Sequence, residues 1–157
     1  MQAILDCADA ALTTDGRGAG RSLLVPGDNV PDDWCDCDGQ LYVRVVNILP
    51  QGQQPHCAPI SLNAILAVGV IRCAAVLDSN GNPPEASVLT AEALAMTQDA
   101  ATIYGALVCC GPLLVASKKV NKAPTIGPWG SQGPLGGCAR GEWQVTLNLD
   151  VCGCSDE

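Results

Sequence analysis

The sequence predicts an α+β two-layer sandwich: a mainly antiparallel sheet, two helices packed on one face, and a long loop before the last strand. Three observations carry this expectation. The elements run helix, strand, strand, helix, long loop, strand. The end of the chain alternates, with Gln144, Thr146 and Asn148 set against Val145, Leu147 and Leu149, the period of a strand with one wet face. Ahead of it, Leu89, Ala93, Met96, Ala100, Ile103, Leu107 and Cys110 recur at steps of four and three, the stripe of a core-facing helix.

Each element has its own justification. Residues 3–12 read as a short helix, because Ile4, Cys7, Ala8, Ala11 and Leu12 form a stripe at helical spacing and a Thr-Thr-Asp-Gly run ends it. Residues 23–25 suit a short strand, closed by the Pro26-Gly27 turn. Residues 28–39 hold five aspartates and predict a loop. Residues 41–49 follow as a strand with Leu41, Val43 and Val45 on one face. After a wide turn, residues 61–75 predict a long strand whose weak alternation implies burial on both faces over part of its length. Residues 78–84 carry strong turn chemistry. The main helix is expected from Thr90, with Glu92 in its first turn, to the Gly111-Pro112 stop. Residues 113–142 show no long regular element, with at most a short strand at 113–116. The last strand is expected over residues 143–151.

Composition narrows the function classes. The chain has 157 residues, the size of one domain, with 48% hydrophobic and 15% charged residues, which is globular rather than disordered. Aromatics are 3% and Phe is absent, so the core is expected from Ala, Val, Leu and Ile. The formal net charge of −8 argues against wrapping nucleic acid by neutralising phosphates. It suits a channel through which DNA slides without sticking. No apolar run reaches membrane-spanning length; the longest, residues 60–70, is interrupted by Asn63 and Gly69. The first residues lack the basic and apolar regions of a signal peptide, which predicts synthesis and assembly in the cytoplasm. The ten cysteines fit mostly buried free thiols, or a few disulfides formed late, after release from a reducing compartment.

The motifs that resemble chemical sites fail on spacing. Asp36-Cys-Asp38-Gly39 has the middle of a calcium loop, but Trp34 and Val45 occupy positions that need acids. The loop after Asp78 has Pro83 where the glycine belongs. Cys35-x-Cys37 and Cys152-x-Cys154 leave one residue between thiols, a poor bite for zinc. His56 is the single histidine, and its neighbour Cys57 would point away from it in an extended chain. The glycines of residues 127–141 lack Lys-Ser/Thr and precede a strand, whereas phosphate loops open a helix. No catalytic residue, metal ligand or cofactor site is expected. Lys118, Lys119 and Lys122 form the one basic cluster, in the long loop beside apolar residues. They suit either a solvated loop or an arm touching an acidic partner.

Several segments then carry a resemblance. Val25-Pro-Gly27, Trp34-Cys-Asp-Cys-Asp-Gly-Gln-Leu-Tyr-Val-Arg-Val-Val46, Arg72-Cys73-Ala74, Leu89-Thr-Ala-Glu-Ala-Leu94 and Gly133-Pro-Leu-Gly-Gly-Cys-Ala-Arg-Gly-Glu-Trp143 resemble head–tail junction proteins of long-tailed phages of actinobacteria. Tail terminators fit best; stoppers and adaptors are the alternatives within that group, and a small cysteine-using enzyme the alternative outside it. The resemblance covers most of the chain and implies a single tail-terminator-like domain over residues 1–157. It implies a structural virion protein and no reaction. Its partners would be further copies in a sixfold ring, the tail tube protein, the head connector or stopper, and genomic DNA passing through the lumen without specific binding; no membrane partner is implied. On this expectation Lys118, Lys119, Lys122 and Trp129 are candidate interface residues. Asp32, Asp33, Asp36 and Asp38 are candidates for an acidic lumen or solvent face.

Overall fold

The computed structural model describes residues 1–27, 30, 38–51, 60–118 and 120–151. Helix α1 (Gln2–Thr14) leads into strand β1 (Arg21–Val25), followed by β2 (Gln40–Gln51), β3 (Ile60–Cys73), helix α2 (Ala86–Ala116), β4 (Thr125–Leu135) and β5 (Cys138–Val151). The five strands form one sheet in the order β1-β2-β3-β5-β4. β1 runs parallel to β2, and every other pairing is antiparallel. The α+β sandwich expected from the sequence is the observed fold.

The core sits between the sheet and the two helices. Leu41 and Val43 of β2, Leu66, Val68 and Val70 of β3, and Val145 and Leu147 of β5 point to one face. Ile4, Leu5, Ala8 and Leu12 of α1 and Ile103, Leu107 and Leu114 of α2 close over them. Apolar residues two apart on the strands and three or four apart on the helices make this packing possible. The opposite face of β5 presents Gln144, Thr146 and Asn148 outward, and the Asn148 amide bonds Ser61 Oγ at 3.2 Å and Asn63 Oδ1 at 3.3 Å on β3. A smaller cluster of Val25, Val30, Tyr42, Ile71 and Cys138 covers part of that second face, so β3 is buried on both sides around Val70 and Ile71.

The long loop before the last strand is not observed. Helix α2 runs through Gly111-Pro112 to Ala116, because Leu114 is buried in the core and its packing holds the last turn that proline would otherwise open. The connection that remains, residues 117–124, is pinned: Val120 is buried, and the Asn121 amide donates to the Asn148 carbonyl of β5 at 3.1 Å. Strand β4 then pairs with β5 across a two-residue turn, Gly136-Gly137, whose φ values of 62° and 84° are those a tight hairpin demands. β4 is an edge strand, and it interrupts its pairing around Pro128 and Pro134, where no N–H is available to donate. β5 therefore begins five residues earlier than its alternation suggests.

Helix α2 also starts a turn before Thr90. The Thr90 hydroxyl bonds back to the Ala86 carbonyl at 2.8 Å, and Glu92 serves a tertiary contact, accepting the Ala75 N–H at 2.7 Å. Its stripe is buried only from Ala100 onward; Leu89 and Ala93 overhang the sheet and are exposed. By length and composition α2 is apolar enough to cross a membrane, with 33% of that window buried in the fold. This corrects the expectation that no apolar run reaches that length and that residues 60–70 are the longest: small apolar residues spread along one long helix carry the hydropathy.

The thiols are also not all free. Cys7 of α1 and Cys110 of α2 form a disulfide that ties the two helices together, and Cys138 is disulfide-bonded as well.

Candidate functional site

Three side chains from three separate elements meet at the top of the helical layer. Asp99 of α2 is 1% exposed. Arg72, at the end of β3, grips it with two bonds, Nε to Oδ2 at 2.9 Å and Nη2 to Oδ1 at 3.0 Å. Arg17, just after α1, reaches Asp99 Oδ1 at 3.2 Å and also donates to the Ala95 carbonyl at 3.0 Å and to Thr102 Oγ1 at 2.9 Å. The Arg72 guanidinium closes the ring by donating to the Arg17 carbonyl at 2.6 Å. The Arg72 fork on one side and the single Arg17 contact on the other are what let a carboxylate be buried at this depth. The unit is a clamp that sets the ends of α1 and β3 against the middle of α2.

Next to the clamp lies an open groove of about 860 Å³ between the first turns of α2 and the β4–β5 hairpin. Leu89, Ala93 and Met96 form one wall, Trp129 and Trp143 the floor, and Arg140 the rim. The floor is fixed: Trp143 Nε1 donates to the Ala100 carbonyl at 2.9 Å, and its ring lies 5.5 Å from that of Trp129 and 5.2 Å from that of Tyr104. Gly141 makes the Trp129 position possible, because a Cβ there would sit 2.6 Å from Cε2 of that ring. Gly141→Ala is expected to push Trp129 off the floor and cost about 1–3 kcal/mol by overpacking. Urea unfolding and near-ultraviolet circular dichroism measure this; an unchanged tryptophan signal would show that the contact is loose.

Exposed apolar residues occur along the outer side of α2, at Tyr104, Val108 and Leu113, after β3 at Val76 and Leu77, and in two groups near opposite ends of β3. Around the groove, Val88, Leu89 and Leu94 are 42%, 45% and 59% exposed. At the other end of β3, the far part of β2 carries Val46, Ile48 and Leu49, which are 40%, 53% and 44% exposed. Residues 46–51 at the end of β2 are all exposed and form an arm. The clamp arginines and Arg140 lie at the groove end, and exposed Asp150 lies at the arm end. Along α2 between residues 93 and 116 the one charged side chain is the buried Asp99, so the exposed surface of that stretch is uncharged.

A polar cluster occupies the opposite face of the sheet. Glu142 accepts Arg44 Nη2 at 2.7 Å, Arg44 Nε at 3.2 Å and the Tyr42 hydroxyl at 2.8 Å. Burial works to raise the Glu142 pKa, but the bonds from Arg44 and Tyr42 and the arginine charge outweigh it and hold the carboxyl below its usual range. Its stabilisation is present above the unfolded carboxylate range and is lost as pH falls through the folded value. For Tyr42 the sign is opposite. Burial, then the Glu142 charge and hydrogen bond, push the hydroxyl far above the ordinary tyrosine range. Unfolded tyrosine ionises near ~10, so above that pH the unfolded state loses a proton that the fold retains, and stability falls. Tyr42→Phe is expected to flatten this alkaline loss; urea midpoints between pH 9 and 11 test it, and equal slopes in both proteins would refute the assignment.

The sites expected from sequence fare unevenly. Lys118 and Lys122 are exposed on the short 117–124 connection, Lys118 with φ of 55°, rather than on a long arm. Trp129 is not a loop residue; it lies on β4 and packs on Trp143. Lys119 lies outside the described residues, as do Asp32, Asp33 and Asp36, His56 and Cys57, and the Cys35/Cys37 and Cys152/Cys154 pairs. Asp38 stands in the turn before β2, and its carbonyl accepts the Gly20 N–H at 2.9 Å. The Asp78 carboxylate accepts three bonds, from the Asn80 N–H and from the Asn82 N–H and side chain, so it closes its own turn. Sequence reasoning missed the clamp, although a lone acid within a long uncharged helix was a signal for Asp99. It also missed the hairpin, for which Gly136-Gly137 was the signal. No protein-family model and no curated protein matches this chain.

Proposed function

We propose that the chain is a structural subunit of the head–tail junction of a long-tailed phage, a tail terminator. Copies pack head to tail into a sixfold ring that caps the tail tube, ends its growth and offers the head connector a docking surface. DNA passes through the lumen without specific binding, and no reaction is catalysed. One observation supports this above the others: two of the exposed apolar groups are unlike and stand at opposite ends of β3, one at the groove and one at the arm. Unlike patches favour heterologous contacts, and a heterologous contact whose rotation closes makes a ring. Arg140 at the groove end and Asp150 at the arm end favour the same pairing across neighbours. The motif resemblance supplies the identity of the ring.

The pairing has a specific test. Ile48→Glu and Leu89→Glu are each expected to block self-association, measured by native mass or sedimentation. A mixture of the two variants retains one intact arm and one intact groove, so it is expected to form a heterodimer that grows no further. Loss of assembly in both variants without rescue on mixing would rule out the head-to-tail arrangement. Electron microscopy of particles carrying a labelled chain tests the location; a label away from the head–tail joint would overturn the terminator assignment.

A further inference from the structure

A second groove, of about 480 Å³, runs along the seam between α1 and α2, and it is lined by three cysteines. Cys7 and Cys110 are joined there, with their Cα atoms 6.5 Å apart, and both are partly accessible. Cys109 is an exposed free thiol on the next residue of α2 and lines the same groove. Gly105 sits one turn earlier on that side, and a Cβ at that position would meet nothing within 4 Å. The groove surface one turn before Cys109 is therefore open. Consecutive helix residues differ by 100° of rotation and 1.5 Å of rise, so Cys109 and Cys110 stand on adjacent sides of α2, and both line the groove that Cys7 lines from α1.

We propose that this groove is a thiol–disulfide exchange site in which Cys109 displaces Cys110 from Cys7. The Cys109 thiol gives up its proton to solvent, and the thiolate attacks Cys7 Sγ. The Cys109–Cys7 bond forms as the Cys7–Cys110 bond breaks, and Cys110 leaves as a thiolate that takes up a proton. One disulfide and one thiol are present before and after, so no oxidant or reductant is consumed. The tether between the helices moves by one residue along α2. A small thiol or disulfide entering the groove meets the same three sulfurs, which makes Cys109 the entry point for covalent modification. The site does not depend on the ring reading.

The experiment uses the full oxidised chain. It is incubated without air in mildly alkaline buffer, quenched at low pH with N-ethylmaleimide, and mapped by peptide fragmentation. The expected result is label moving onto Cys110 with time, together with a peptide linking Cys7 to Cys109. Cys109→Ser keeps the original disulfide, and Cys110 labelling in it is expected to stay at least tenfold lower. Cys110→Ser, placed in a glutathione redox buffer, is expected to trap the Cys7–Cys109 bond. Among the three groove cysteines, label confined to Cys109 after prolonged incubation of the native chain, with Cys110 labelled no more than in Cys109→Ser, would overturn the proposal even if the Cys110 variant failed to fold.

Discussion

Asp99→Ala is expected to destabilise the fold by about 3–5 kcal/mol, the range for removing one partner of a buried ion pair. The size follows from what is left behind. Asp99 is 1% exposed, and without it the Arg72 fork and one Arg17 amine face no anion. Both guanidinium groups are about one-fifth exposed, so water relieves part of the penalty and places the cost toward the lower end. For a domain of this length each kcal/mol moves the melting temperature by roughly 2–4 °C; a fall on the order of 10 °C by calorimetry is the expected reading. Asp99→Asn keeps the shape and should lose less. Arg72→Ala combined with Asp99→Ala should cost clearly less than the sum of the two single changes, because the groups act as one unit. Additive losses would mean that the clamp is only a set of surface contacts.

Cys7→Ala is expected to cost about 2–5 kcal/mol. The bond closes a span with a sequence separation of 103, so in the chain-entropy picture it restrains the unfolded state strongly. Cys7 is the informative position because it is the shared partner: its loss removes the tether whichever α2 cysteine holds it. Cys110→Ser should cost less than Cys7→Ala under oxidising conditions if Cys109 takes over the bond. Urea midpoints of the two variants, compared with and without reductant, make the measurement. An unshifted midpoint in Cys7→Ala would show that helix packing alone fixes α1 on α2.

Much of the layer architecture was legible because it depends on periodicity. The alternation of β5 and the steps of three and four in both helices state which side of each element is apolar, and the observed core follows them at Ile4, Ala8, Leu12, Ile103, Leu107, Val145 and Leu147. The glycine-rich stretch was harder. Pro128, Pro134 and several glycines hide the strand character of β4, and an edge strand tolerates them because its outer N–H groups need no partner. The end of α2 was misread for a related reason: local chemistry says stop at Gly111-Pro112, but burial of Leu114 outweighs it.

The candidate surfaces were less legible still. The basic residues were expected on a long reaching arm, yet that stretch folds back so that Val120 enters the core, leaving Lys118 and Lys122 on a short pinned connection. Trp129 was expected on the loop before the last strand and instead lies on β4, where it floors a groove. The clamp depends on residues 17, 72 and 99, which share no local pattern.

By itself the sequence determined the class of fold, the faces of its helices and last strand, and the small-residue core, since each rests on local period and composition. Tertiary structure alone decided the clamp, the Cys7–Cys110 tether, the β4–β5 hairpin and the two unlike apolar patches. Those features arise where residues far apart in the chain meet, and there the energy of burial and pairing overrides what each segment prefers alone.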